Sequence, residues 1–374
     1  MQQMKKLGFG MMRLPLLNEE DKKSIDKKTV CQMVDTFMER GFTYFDTAYM
    51  YHEYESERAM KDVLVTRKDR DSYTLASKLP VMQLKEKEDM ERIFNEQREK
   101  CGVEYFDYYL LHSLDAEHYK TVKRLDCFGF AMQKKAEGKV KHVGFSFHDS
   151  AEVLDQILTE HPEAEFVQLQ LNYLDWEDEK VQSRKCYETA VKHGKKVVVM
   201  EPVKGGTLAK LPKKAEDVLK ALHPDWSAAS WAIRFVASLE NVMVVLSGMS
   251  TPEQMDDNTA YMKEFEPLTE KEKQVLLGEV VDSIHEAAKI PCTACRYCVE
   301  GCPMNIAIPE YFALYNDEIT DKGNPEYAKR YAELTKEHGK ASDCVECGQC
   351  EGACPQHLPA ITWLKKVAEV FERR

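Results

Sequence analysis

No stretch of this 374-residue chain approaches the run of roughly 18 apolar residues that a membrane-spanning helix needs, so no bilayer segment is expected. Basic charge is in short supply. Fifty-two Lys and Arg stand against 64 Asp and Glu, a net charge of −12 that leaves no basic face for a nucleic acid. The opening Met1-Gln2-Gln3-Met4-Lys5-Lys6 carries charge without an apolar core behind it. No signal peptide is therefore expected, and the cytoplasm is the expected compartment. A third glycine is also missing: Gly8-Phe9-Gly10-Met11-Met12-Arg13 follows the first apolar run without completing a phosphate-cradling turn. That speaks against an open, doubly wound sheet. No flavin motif stands out either.

Hydrophobic residues at 43% and charged ones at 31% describe a globular chain, long enough for two domains or one large barrel with an appendage. The chain is rich in cysteine, with twelve. In an intracellular protein that number points to metal or redox chemistry rather than disulfides. Cys31, Cys101, Cys127 and Cys186 are scattered and read as small buried hydrophobes. The other eight are grouped.

Apolar, β-rich runs recur at residues 7–12, 42–45, 73–76, 106–111, 142–147, 166–171, 196–200 and 242–246. Helical patterns separate them at 28–40, 56–65, 87–101, 122–137, 151–159, 180–193 and 226–238. Alternation of this kind builds βαβ units and a parallel sheet, and eight strands in about 250 residues is the count of a (β/α)8 barrel. The expected class is thus α/β, a barrel over residues 1–285 followed by a small, mainly helical domain over 286–374. In such a barrel the active site forms where the strands end. Asp46 closes the second run, Lys78 follows the third, His112 follows the fourth, and Tyr51 lies five residues beyond Asp46. Each alone reads as easily as a salt-bridge partner or a loop residue. Four at equivalent strand ends form one acid–base set.

Asp46-Thr47-Ala48-Tyr49-Met50-Tyr51, Ser77-Lys78-Leu79 and Leu110-Leu111-His112 resemble the tetrad motifs of the aldo-keto reductases, and the likeness runs from about Met4 to Leu276. The resemblance implies hydride transfer from NADP(H) or NAD(H) to a small-molecule carbonyl substrate, an aldehyde or ketone. Tyr51 would be the acid, Lys78 would lower its pKa, Asp46 would hold Lys78, and His112 would orient the substrate oxygen. It also implies a dinucleotide site made of Ser146, Gln168, Met200, Pro202, Lys204, Gly248, Gln254 and Asn258. This sequence departs from the family there. Phe147 stands where an asparagine is expected, and Met200 where an aromatic stacks under the nicotinamide. Gly248 and Gln254 occupy positions that carry Lys and Arg in NADPH-specific members, with Lys204 the cation left to compensate. Thr251-Pro252-Glu253 in the same loop is also an ordinary helix start.

The grouped cysteines are Cys292, Cys295, Cys298 and Cys302 before Pro303, then Cys344, Cys347, Cys350 and Cys354 before Pro355. Both read C-x2-C-x2-C-x3-C-P, the bacterial ferredoxin spacing for [4Fe–4S] clusters, in which the cysteine before proline reaches the other cluster. One cluster is therefore assigned to Cys292, Cys295, Cys298 and Cys354, and the second to Cys344, Cys347, Cys350 and Cys302. Paired zinc sites are the competing reading, which the third cysteine at the same spacing disfavours. Helices are expected over 270–288, 309–315, 325–338 and 358–371, and the region resembles the helical ferredoxin domains attached to larger redox enzymes.

Two functions fit these motifs. The first is an oxidoreductase of aldo-keto reductase type, with clusters that serve structure or regulation or relay to a redox partner protein. The second is an electron-transfer or redox-sensing protein whose barrel is a scaffold with weak or no dinucleotide binding.

Overall fold

The computed structural model describes residues 5–286, 290–320 and 323–372. Eight parallel strands close in sequence order: β1 Leu7–Gly10, β2 Tyr44–Asp46, β3 Thr74–Leu79, β4 Phe106–Leu114, β5 Val140–Phe147, β6 Phe166–Gln170, β7 Lys196–Met200 and β8 Val242–Ser247. The barrel is the expected one. No helix among the described residues is long and apolar enough to cross a membrane.

Register decides which side chains face the barrel's interior. Gly8 pairs with Tyr44, Gly10 with Asp46, Ala76 with Tyr108, Lys78 with Leu110, Ser146 with Gln168, and Gln170 with Met200. Side chains alternate along a strand, so one parity points inward throughout. Tyr44, Ala76, Leu110, Phe166, Val198, Val244 and Leu246 fill the centre as one apolar cluster. On the same parity, nearer the strand ends, come Asp46, Lys78, His112, Ser146 and Gln168. The opposite parity carries Phe45, Leu75, Tyr109, Phe145 and Val199, all buried against the helix layer. Phe147 belongs there too, its ring 6.4 Å from that of Phe145.

The expected helices and apolar runs land within a few residues, with three differences. The 122–137 pattern is two helices, Ala116–Leu125 and Cys127–Ala136, broken where Asp126 takes φ +60°. The first apolar run stops at Gly10 and turns through a 3-10 segment, Met11–Arg13. The 270–288 pattern is helical from Glu270 to Glu286 with a π turn at Leu276–Val280, and its last part, 287–288, lies outside the described residues. A helix at Lys213–Leu222 has no counterpart among the expected elements.

The chain divides into two compact units. One holds Met1–Pro202 and Ala229–Gln274, and the other Val203–Ala228 and Val275–Arg374. The second has its own apolar core, with Ile306, Tyr311, Phe312, Leu364 and Val367 buried between helices Ile308–Thr320 and Ala360–Phe371. The segment after β7 thus belongs with the cysteine-bearing unit.

Gly144, mid-strand in β5, has no room for a side chain: a Cβ there would lie 2.5 Å from the backbone oxygen of Phe166 and 2.7 Å from its ring. Backbone cannot yield as a side-chain tip can. Gly144→Ala is expected to cost about 1–3 kcal/mol, read as a lower urea midpoint for the barrel; an unchanged midpoint would show that β5 and β6 can spread.

Candidate active site and cysteine sockets

Asp46 leaves β2 at its last residue, and Lys78 stands one residue before the end of β3, both facing inward. Lys78 Nζ donates to Asp46 Oδ1 at 2.5 Å and to the Thr47 carbonyl at 2.8 Å. Neither side chain is open to solvent, at 0% and 3% exposed. Burial pushes Asp46 up and Lys78 down, while the attraction between them opposes both shifts. Asp46 Oδ2 is buried without a hydrogen bond.

A second buried acid stands behind the pair. Glu57 Oε1 accepts from Ser77 Oγ and from Gln97 Nε2, both at 2.7 Å, and Gln97 Oε1 accepts from Tyr109 at 2.7 Å. Gln97 also donates to the Lys78 carbonyl, so this network fixes β3 from the helix side. Glu57 adds to the pull that keeps Lys78 charged. The sequence alone does not mark Glu57, because it lies within a helical pattern, where a glutamate normally faces water.

Tyr51 sits in the turn after β2, beside Lys78 and His112. Lys78 Nζ is 4.9 Å from the phenol's ring centroid, and the His112 ring lies edge-on at 6.0 Å. The turn continues through three residues with positive φ, His52, Glu53 and Tyr54. It is held by His52, whose Nε2 accepts from the Leu14 amide at 3.1 Å. Such a run is sterically costly for side-chain-bearing residues and needs that support.

The resemblance implies that Lys78 lowers the Tyr51 pKa; the net shift on the phenol is upward, burial first and then Asp46 and Glu201 pushing it well above its usual value, with Arg13 opposing. Burial is the largest cause, and Lys78 donates to Asp46 and to the Thr47 carbonyl rather than to Tyr51. Tyr51 therefore stays protonated across the neutral range. His112 stays neutral: burial, then Lys78, His148 and His118, push it well below 6.5. Its Nδ1 is buried without a partner.

The dinucleotide set is only partly brought together. Ser146 is buried, and its Oγ accepts from the Ser113 amide at 2.7 Å. Gln168 Nε2 meets Met200 Sδ at 3.5 Å, while its Oε1 is buried and unbonded on the inward face. A carbonyl oxygen left so inside the barrel mouth suits an amide donor such as a carboxamide. Asn258 is engaged at both ends, donating to Ser247 Oγ and accepting from Tyr261. Gln254 is exposed and accepts from the Ser250 amide. Pro202 is buried at the end of β7. Lys204 belongs to the other compact unit, where Nζ donates to Gln356 Oε1 at 2.7 Å.

Arg13 carries no sequence signal of its own, since its stretch is notable only for glycines. A Cβ on Gly248 would meet the Arg13 side chain at 3.3 Å, so Arg13 fills the space beside Gly248. Its guanidinium is 3.5 Å from Glu201.

The second unit holds the cysteines in two sockets. One socket is lined by Cys292, Cys295, Cys298 and Cys354, with Cys350 at its wall. The other is lined by Cys302, Cys344, Cys347 and Cys350. The grouping is the crossed one that the spacing implied. Burial with Cys295, Cys292 and Cys354 as neighbours raises the Cys298 thiol to about 12. Among the described residues no three His, Cys, Asp or Glu side chains converge as a single metal ion requires. Thiols set around a cavity instead fit a cubane, whose irons supply the charge that keeps thiolates deprotonated.

The backbone repeats as the sequence does. Positive φ occurs at Ala294 and Glu346, at Arg296 and Gly348, and at Asn305 and His357, each pair matched in register with Cys292 and Cys344. A short helix follows in each copy, Tyr297–Glu300 and Gln349–Gly352. Turns through the left-handed region direct backbone N–H groups into a concave site, as anionic clusters need. The scattered cysteines are different: Cys101, Cys127 and Cys186 are buried in the barrel unit, the last two pushed up to about 12 by burial.

This barrel, with its inward Asp–Lys pair, and the double cysteine socket define an oxidoreductase. Residues 6–276 match the aldo/keto reductase family model, so the chain belongs to that family; residues 291–359 match a 4Fe-4S dicluster domain. Three solved structures are similar. The holo form of an aldo-keto reductase from Bacillus halodurans is 22% identical over 72% of this chain and 90% of that one, with a TM-score of 0.56. An aldo-keto reductase from Klebsiella pneumoniae in complex with NADPH is 17% identical over 73% and 90%, also at 0.56. Aldose reductase from Giardia lamblia is 19% identical over 76% and 94%, at 0.55. At these identities the likeness speaks for the fold. Over 72 residues the chain is 31% identical to a component of the ion-translocating oxidoreductase complex of Buchnera aphidicola. That match covers 19% of this chain and 12% of the relative, so the chain spans only a small part of that protein's length.

Cys354→Ser is expected to empty the socket of the first motif while the other cluster stays, halving bound iron; loss of neither or both would dissolve the crossed grouping. A second expectation concerns pH. Because His112 is depressed, its neutral form persists until the pH falls well below 6.5, and the Tyr51 proton persists to well above 10. Any turnover that depends on this pair should show a flat kcat across the neutral and mildly alkaline range, with no limb near 6.5. A histidine-like limb there would contradict the burial of His112.

Proposed function

We propose that the barrel reduces a small carbonyl substrate with a nicotinamide dinucleotide, Tyr51 being the proton donor. The observation that carries this reading is the arrangement of Tyr51 and His112 around the inward-facing buried Asp46–Lys78 ion pair, with the unbonded Gln168 oxygen on the same face. The dinucleotide, when bound, supplies the hydride. The alkoxide so formed on the substrate is a stronger base than a phenolate, so even a phenol held above its usual pKa can give up its proton to it. His112, neutral and sheltered, donates to the substrate oxygen and fixes its position. Lys78, anchored by Asp46 and by the Thr47 carbonyl, stabilises the phenolate left on Tyr51 and so favours proton release at that moment rather than beforehand.

Arg13 is our candidate for the cation absent at Gly248 and Gln254. A guanidinium beside the β8 loop suits a phosphate of the dinucleotide. Glu201 would lose its partner as that phosphate arrived. The eight thiolates call for a reducing compartment, such as the cytoplasm, and the two clusters for a protein that exchanges single electrons with them.

Tyr51→Phe removes the proton and keeps the ring. It is expected to lower aldehyde-dependent NADPH or NADH oxidation by about 10²- to 10⁴-fold, the usual worth of a positioned acid, with dinucleotide affinity nearly unchanged. Turnover undiminished in that variant would exclude Tyr51. Titration of the anaerobically reconstituted protein with NADH and NADPH separately tests the rest: no binding of either at millimolar concentration would turn the barrel into a scaffold for the clusters.

A further inference from the structure

Lys204 is oddly placed for a lysine. It follows β7 by four residues, takes φ +47°, and is only 4% exposed. Its Nζ donates to Gln356 Oε1 at 2.7 Å, and Gln356, 7% exposed, stands two residues beyond Cys354. The next residue touches the other side of the same socket. Gly205, at φ +62°, lies so close to Thr293 that a Cβ would come within 2.6 Å of its Cα and its carbonyl oxygen. Thr293 adjoins Cys292. Both Thr293 and Gln356 line the cavity of Cys292, Cys295, Cys298 and Cys354. A two-residue piece of the loop thus closes one socket from both ends of its cysteine set, and only a glycine fits the tighter of the two contacts.

The sockets differ in the charge around them. Beyond its cysteines, the second is lined by apolar residues such as Met304, Val345, Ile361 and Leu364; the charges behind that lining are the exposed Lys365–Glu346 ion pair and Glu351, whose carboxylate accepts from the Ile361 amide, with no buried cation among them. The first has Arg296, ion-paired with Glu310, and behind Gln356 the buried ammonium of Lys204. With Oε1 held by Lys204, the amide of Gln356 has its orientation fixed, with its N–H end turned away from the ammonium. An electron added to a cluster makes it one charge more negative. A nearby buried cation and oriented N–H groups stabilise that state, and hydrogen bonding and charge are among the main controls of cluster potential.

We propose that Lys204 and Gln356 form a clamp that sets the reduction potential of the cluster held by Cys292, Cys295, Cys298 and Cys354 above that of its neighbour. Lys204 is a positioning residue here, acting on the cluster through Gln356. The clamp does not depend on dinucleotide use by the barrel, because its effect is read on the clusters alone.

The test is a redox titration of the full-length, anaerobically reconstituted protein, followed by electron paramagnetic resonance. The wild type should show two midpoints, the higher of which disappears in Cys354→Ser. In Lys204→Met the higher midpoint should fall by about tenfold in its reduction equilibrium, or about 59 mV for one electron, while the lower stays in place. Lys204→Arg should keep most of the wild-type value. If Lys204→Met does not retain iron, Gln356→Leu, which leaves the ammonium in place, should give the same one-sided fall. Midpoints that do not move, a shift of the lower one, equal shifts of both, or loss of both clusters in both variants would overturn the proposal.

Discussion

A buried ion pair governs the barrel's open end. Lys78 and Asp46 meet at 2.5 Å with neither exposed by more than 3%. Taking either charge out of water alone costs several kcal/mol, and removing one partner of such a pair typically costs about 3–5 kcal/mol. The structure meets that cost with the pair itself, with the Thr47 carbonyl, and with Glu57 behind it. Everything else at the site is arranged around that charge. Tyr51 packs its ring over the ammonium, and His112 is driven neutral partly by it. Tyr51 is buried beside the pair, and burial first, then the carboxylates of Asp46 and Glu201, hold its proton in place. Such a group acts as a donor only when a stronger base is made beside it.

Much of this is legible in the sequence because strand periodicity is strict. Asp46, Lys78 and His112 each close or follow an apolar run, and in a parallel barrel a strand end is also the mouth; Ser146 and Gln168 lie within their runs on the same parity. Parity then decides the rest. Phe147, one residue past Ser146, faces the helices, so the phenylalanine that stands where the resemblance implies an asparagine lies on the apolar side of the strand. What the sequence hides is whatever depends on neighbours from distant parts of the chain. Arg13 is meaningful only once β8 lies beside β1 and Gly248 leaves space for its side chain. Glu57 is meaningful only once its helix packs Ser77 and Gln97 around it. Lys204 is readable as a cation and not as a partner of Gln356, 152 positions away.

The cysteine region is the most legible, for a different reason. Iron–sulfur ligation fixes spacing so tightly that the motif survives without tertiary knowledge. The structure adds a backbone repeat to the repeat of thiols. Ala294 and Glu346, Arg296 and Gly348, and Asn305 and His357 take the same unusual φ at matching places. The two members of each pair differ in side-chain chemistry, so what is kept between the copies is the course of the backbone around a bulky anion. Arg296 accepts a left-handed conformation that a glycine holds in the other copy, which shows that the geometry, rather than the residue, is the constraint.

The two halves deal in different quantities of electrons. A hydride carries two at once, and a cluster takes one, so a direct exchange between them would need a group able to hold a single electron in between. No flavin signature occurs in the sequence to supply one. The simpler alternative is that the clusters serve a separate one-electron partner. They would then need potentials of their own, unequal so that the electron has a resting place. An unequal pair requires an asymmetry that the thiols and backbone course of the duplicated motif cannot provide, since both copies place the same four thiols on the same backbone. Arg296, where the other copy has Gly348, is engaged by Glu310, so the asymmetry falls to a group outside the repeat. In this chain the segment after β7 is where it does: a barrel loop that belongs to the cysteine unit and brings one buried lysine to one of the two sockets.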